Sequence, residues 1–243
     1  MKVLICGLAA LIAQWGLSGT ASALELPRDG WVRWRVPAVE GAPAWCCIGD
    51  WKNPQPGANV CRLDGPESGY GNQSRNATAS EIDIYVRLSG GVATKLRALA
   101  PSCEVVTDAP VTTLNKVTPE ASAAWLARQI GAKSTRAHAL AALSVQAGPA
   151  ARSALLDTAR SAREIEQRKD AIFWMVQGRG VEGFDLAVPF LSEDADPKLR
   201  EHAAFALSQS RARDAAPMLI RAAREDKSPK VRGQAWFWLA QMK

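Results

Sequence analysis

The residues of this sequence best suited to chemistry are its cysteines, because a thiol can bind a metal, transfer electrons or form a disulfide. Beyond Cys6, the chain carries Cys46, Cys47, Cys61 and Cys103. They lack the paired CxxC spacings that zinc sites and most redox centres use. An adjacent pair such as Cys46 and Cys47 can nevertheless be redox-active, so a thiol-handling enzyme is one hypothesis for the function.

The first 23 residues predict the compartment in which these cysteines work. Lys2 precedes a mostly apolar run, and Ala21, Ser22 and Ala23 form a small-residue cleavage site. The apolar run is shorter than the ~20 residues that a membrane-spanning helix needs. We therefore expect residues 1–23 to be a signal peptide and the mature chain to be periplasmic or secreted, with no membrane span.

An oxidising compartment and an even number of cysteines in the mature chain predict two structural disulfides. A bond between the adjacent Cys46 and Cys47 would strain the bridge geometry. Two pairings remain open: Cys46–Cys61 with Cys47–Cys103, or Cys46–Cys103 with Cys47–Cys61.

Other groups that could perform catalysis are sparse. A catalytic site needs acids, bases or nucleophiles that lie close together. The chain has two histidines, His138 and His202, and no serine in a Gly-x-Ser-x-Gly setting. We therefore expect no enzymatic activity, no cofactor and no metal ion.

The elements that would position these residues begin with a β-rich part, residues 24–117. Apolar and polar residues alternate over residues 31–36, and residues 82–88 and 92–99 flank a Ser-Gly-Gly turn, which predicts a β-hairpin. A long loop rich in Gly, Pro, Asn and Ser covers residues 41–80. We predict a small, disulfide-stapled antiparallel β-domain.

Residues 118–243 repeat with a period of 32, which predicts stacked pairs of helices. The same spacing separates the arginines at positions 136, 168, 200 and 232 and the alanines at positions 139, 171, 203 and 235. Thr118 followed by Pro119 is typical of a helix start. The fold class predicted is α+β, with the β-domain followed by a helical repeat array.

The repeats resemble a known family. Residues 226–235 resemble the HEAT-repeat signature of the short bacterial type that also occurs in phycobilisome-lyase-like repeats, and residues 194–203 match it again. The resemblance implies an α-solenoid in which Asp194, Asp226, Arg200 and Arg232 bridge neighbouring repeats. Residues 34–37 and the four cysteines are also similar to a group of exported bacterial HEAT-repeat proteins that has no assigned activity.

Three rows of equivalent residues are candidates for binding. Stacked helices would align a phenylalanine row, an amide row and a polar row, consisting of Phe173, Phe205 and Phe237; Gln177, Gln209 and Gln241; and Asp170 and His202 with Gln234. Such a face suits a peptide or another extended ligand. The alternative is that each phenylalanine is wedged between helices as part of the core.

Charge and the last helix constrain the partner. Residues 118–243 carry 19 cationic and 14 anionic residues, whereas residues 24–117 carry 10 of each. Export argues against nucleic acid, and anionic surfaces or acidic proteins fit the excess. Trp236 and Trp238 on the final helix either face a partner or a second copy, or pack back on the preceding repeat.

These observations predict an exported scaffold that binds a protein or peptide partner through the repeat surface and has no catalytic activity. The alternatives are a redox enzyme that uses Cys46 and Cys47, and a structural module that self-associates through its terminal helices.

Overall fold

The computed structural model describes residues 24–47, 60–65, 69–72 and 77–242. The predicted signal peptide and parts of the long loop lie outside these ranges. The described residues form eight strands followed by eight helices, so the predicted α+β order is confirmed.

Four strands form the main sheet and four form two small ribbons. The strands are β1 (Gly30–Pro37), β2 (Trp45–Cys47), β3 (Val60–Arg62), β4 (Tyr70–Asn72), β5 (Glu81–Ser89), β6 (Val92–Leu99), β7 (Glu104–Val106) and β8 (Val111–Thr113). The main sheet has the order β6-β5-β1-β8, and the ribbons are β2-β4 and β3-β7. The predicted hairpin is confirmed as β5 and β6, with Gly90 and Gly91 in the left-handed region at its turn.

The sheet is mixed, so the prediction of a wholly antiparallel domain was wrong. β8 pairs with β1 in parallel, and β3 pairs with β7 in parallel. The segment after β6 carries the chain back to the end of the sheet where β1 begins. β8 therefore runs in the same direction as β1, and it occupies the edge that the hairpin leaves open.

The helices follow the 32-residue period. They are α1 (Pro119–Gln129), α2 (Arg136–Val145), α3 (Pro149–Ser161), α4 (Ile165–Gly178), α5 (Gly180–Ser192), α6 (Pro197–Ser208), α7 (Ala216–Glu225) and α8 (Pro229–Gln241). Thr118 caps α1 and Asp196 caps α6, each accepting a backbone hydrogen bond. Helices α2, α4, α6 and α8 contact one another in succession. That they build a solenoid remains a prediction.

The strands and the first helices share one hydrophobic core. The Trp34 ring of β1 meets the Trp125 ring of α1 edge-on, with the ring centroids 5.4 Å apart. Trp34 Nε1 also donates to Ser122 Oγ at 2.9 Å, and Ser122 donates on to Gln146. The predicted boundary between residues 117 and 118 remains a prediction, but side chains pack across it.

A second, smaller core surrounds the cysteines, with Trp31, Leu63, Tyr85 and Leu99. Among the helices that the structure describes, none is both long enough and apolar enough to cross a membrane.

Candidate functional site

The cysteines form two disulfides, Cys46–Cys103 and Cys47–Cys61, with Cα atoms 5.2 and 4.9 Å apart. This is one of the two pairings left open by the sequence. All four cysteines are buried, and each sulfur atom belongs to one of the two disulfide bonds. Within the described ranges, no group of three or more His, Cys, Asp and Glu side chains is placed to hold a metal ion.

A series of arginines connects successive helix pairs. Arg136 Nη2 lies 2.9 Å from a Glu164 carboxylate oxygen, and Arg168 Nη2 lies 2.8 Å from Asp194. Arg200 makes two parallel bonds to Asp226, at 2.8 and 2.9 Å. The pairings of Arg136 and Arg168 were not predicted, although both arginines belong to the 32-residue repeat.

Arg200 and Asp226 form the most buried of these pairs, with side chains 2% and 7% exposed. Burial acts to raise the pKa of Asp226, but hydrogen bonds from Arg200 and from the Ser228 N–H, with the charge of Arg200, outweigh burial and lower it. The structure places Arg232 differently, since it donates to the Asp226 carbonyl and pairs with no described carboxylate.

The three phenylalanines of the predicted row are joined by a tryptophan. Phe173 and Phe205 stack with a centroid separation of 5.8 Å and nearly parallel planes. Phe205 then contacts Trp238 at 4.8 Å, and Trp238 contacts Phe237 at 4.9 Å. Phe173 and Phe205 are half-buried, and Phe237 is 51% exposed. The row is therefore partly accessible along its length.

The same row continues onto the strands. Phe173 contacts Trp174, and Trp174 meets both Trp45 of β2 and Tyr70 of β4, at 5.6 and 5.8 Å between centroids. Trp45 and Tyr70 stack at 4.9 Å. We call this set the aromatic row; its members are Trp45, Tyr70, Trp174, Phe173, Phe205, Trp238 and Phe237.

Hydrogen bonds through His138 hold Tyr70 in place. The His138 Nε2 atom lies 3.2 Å from Arg97 Nη1, and Nδ1 lies 3.0 Å from the Tyr70 hydroxyl. A guanidinium only donates, so Nε2 accepts and Nδ1–H donates to Tyr70. The Ala98 N–H donates to the same hydroxyl. Burial and the charge of Arg97 lower the pKa of His138 to about 4, which keeps the ring neutral.

His202 and Asp170 belong to the predicted polar row. The His202 ring lies edge-on to Phe205, 5.6 Å between centroids, and burial lowers its pKa. Burial also raises the pKa of Asp170. In both cases burial disfavours the charged form of the side chain.

The amide row borders a cavity. Gln177 Nε2 donates to the Gln209 carbonyl at 3.5 Å, and Gln209 and Gln241 are exposed. A cavity of about 330 Å³ lies between the C-terminal ends of α4 and α6 and the strands, lined by Gln177, Gln209, Trp45, Tyr70 and Arg211 among others. The sequence did not predict this cavity.

A family model described as HEAT repeats matches residues 184–243, which run from α5 to α8. The match supports a HEAT-repeat protein. It covers Phe205, Phe237, Arg200 and Asp226, and it does not reach the strands or the cysteines. No curated protein and no solved structure matches the chain.

Proposed function

We propose that the protein is a non-catalytic scaffold that binds a protein or peptide along the aromatic row of the repeats. HEAT repeats are associated with protein interaction, which supports the class of function. The observation that carries the proposal is the continuous row of ring contacts from Trp45 to Phe237, left partly open to solvent. Aromatic side chains of this kind dominate the binding energy of protein interfaces.

We also propose that the protein is exported, to the periplasm or outside the cell. Two disulfides are compatible with an oxidising compartment, since cytosolic proteins rarely keep them. The signal peptide predicted at residues 1–23 accounts for the route.

A binding test compares two exposed apolar residues. Phe237 belongs to the aromatic row, whereas Val92, 65% exposed, lies at the hairpin turn outside the row. We expect wild type and Val92→Ser to capture the same protein from cell-envelope extract and Phe237→Ser to lose it. Equal capture by all three would contradict the proposal.

Self-association through the terminal helix is a second candidate, supported by Trp236. The equivalent positions in earlier repeats, Leu140, Ile172 and Ala204, are fully buried, whereas Trp236 is 52% exposed. We expect Trp236→Ser to shift a dimer to monomer in sedimentation equilibrium if this face joins two copies. A wild-type chain that is monomeric at all concentrations would remove this candidate.

A further inference from the structure

The cavity lies at the strand end of the aromatic row, beside Trp45 and Tyr70, and its lining has the composition of a binding site. Its floor is apolar, formed by the stacked rings of Trp45 and Tyr70 and by Val176. Its rim is polar, with the side-chain amides of Gln177 and Gln209 and the guanidinium of Arg211. Its volume of about 330 Å³ lies at the small end of the range for ligand sites.

The charge at the rim is one-sided. Arg211 is exposed and forms no ion pair with any residue that the structure describes, whereas its neighbour Arg213 pairs with Asp185 at 3.4 Å. No acidic side chain is among the described residues that line the cavity. A ligand group placed beside Arg211 would therefore meet a positive charge that no described carboxylate neutralises.

The rim also offers neutral donors. Each glutamine amide has two N–H groups, and the structure assigns one bond to each, Gln177 to the Gln209 carbonyl and Gln209 to Ser208 Oγ. One N–H of each side chain thus remains for a ligand. One guanidinium and two amides match a monoanionic carboxylate, whereas a phosphate dianion would leave a charge without a partner.

We propose that this cavity binds the C-terminal residue of a peptide, with its apolar side chain on Trp45 and Tyr70 and its carboxylate at Arg211, Gln177 and Gln209. The inference rests on the proposed function, since the rest of the peptide would lie on the aromatic row. Gln177 follows Phe173 by four residues and Gln209 follows Phe205 by four, which is one helical turn. A chain leaving the cavity therefore meets the row immediately.

The floor of the cavity is held in place before a ligand arrives. Tyr70 is fixed by His138 and by the Ala98 N–H, and Trp45 is packed between Tyr70 and Trp174. A site that needs little ordering loses less free energy on binding. Little of the free energy of the carboxylate contact is therefore needed to order Trp45 and Tyr70.

The first experiment uses two small probes, N-acetyl-phenylalanine and its amide, which differ only in the terminal charge. Titration calorimetry would compare wild type with Arg211→Gln and with the matched control Arg213→Gln. We expect the acid to bind wild type and Arg213→Gln equally, and Arg211→Gln about tenfold more weakly, since a charge-assisted hydrogen bond is lost. Equal binding of acid and amide, or equal effects of the two substitutions, would overturn the proposal.

The second experiment separates a peptide end from a small free carboxylate. A pentapeptide ending in leucine-phenylalanine should bind wild type more tightly than N-acetyl-phenylalanine, and Phe205→Ser should remove this gain. No gain with length would overturn the peptide assignment. The scaffold proposal fails separately, when Phe237→Ser captures the same partner as wild type.

Discussion

Arg200 stabilises the contact between successive helix pairs, because its buried guanidinium makes two hydrogen bonds to Asp226. Arg200→Leu leaves the Asp226 carboxylate buried without its cationic partner and with the Ser228 N–H as its remaining described hydrogen bond, and the loss of one member of a buried ion pair costs ~3–5 kcal/mol of stability. Urea unfolding would measure it. Arg221→Leu is the control, since Arg221 pairs with Glu225 at the surface and an exposed pair contributes at most ~1 kcal/mol. Equal losses would contradict the structural role of Arg200.

His138 should make stability depend on pH. Its folded pKa of about 4 lies below its unfolded value, so its contribution is complete above the unfolded pKa and is lost progressively as the pH falls from the unfolded pKa through the folded one. Between pH 7 and pH 5 we expect wild type to lose about 2 kcal/mol from this group.

The measurement is the free energy of unfolding at both pH values for wild type and His138→Gln. Glutamine does not titrate, so the variant should show the smaller loss. Parallel behaviour of the two proteins would mean that His138 titrates normally in the folded state.

At the scale of the helices, α2 and α4 approach closely at Gly178. A Cβ atom added there would lie 2.6 Å from Ser144 Cβ and 3.0 Å from the Ser144 carbonyl carbon. Forced overpacking of this kind costs ~1–3 kcal/mol, so Gly178→Ala should lower the melting temperature. Gly233 of α8 has open space around its Cβ position, and Gly233→Ala should stabilise by ~0.5–1 kcal/mol. Calorimetry that gave both changes the same sign would refute this packing.

At the scale of the strands, the two disulfides predict how many free thiols remain when cysteines are replaced in pairs. Adjacent cysteines stay on one peptide after proteolysis, so double variants are the sharper test of pairing. Cys46→Ser/Cys103→Ser retains both halves of the Cys47–Cys61 bond and should show no free thiol on alkylation without reductant. Cys46→Ser/Cys61→Ser removes one cysteine of each disulfide and should show two free thiols in the same assay. Residues 1–23, which include Cys6, would be left out of both variants.

The sequence predicted the elements better than their contacts. The period of 32 located the helices, and alternation located β1 and the hairpin. β8 was missed because three residues carry too little pattern to distinguish a strand from a loop. The sequence left two orientations open for Trp236 and Trp238, because the repeat does not determine where a ring points. Trp238 packs back on Phe205 of the preceding repeat, whereas Trp236 is exposed.

The cavity could not be predicted from the sequence either, and the reason differs from the one that applies to β8. Its walls come from Trp45, Tyr70, Gln177 and Gln209, which lie in four elements or their ends and are brought together only by the packing of strands on helices. The 32-residue spacing of the glutamines indicated the amide row, but it did not indicate that the row lies beside the strands. His138 and His202 likewise share a repeat position, yet among the described contacts it is His138 that meets the strands, through Arg97 and Tyr70.

At the scale of the whole molecule, the shared core links the strands to the helices. Trp125, Leu126 and Leu140 are buried in the same cluster as Trp34 and Ile84. We expect residues 118–243 alone to expose this surface, to bind a dye such as ANS and to unfold with reduced cooperativity compared with residues 24–243. Circular dichroism with a native melting temperature for the shorter chain would disprove the coupling.

The strands also make the two ends of the described helical array different. They pack on α1 and α2, so one end of the array is already covered, whereas the Trp236 side of α8 is open at the other. Two copies that met through the exposed Trp236 side of α8 would present the same surface to each other, and such a contact closes at a pair.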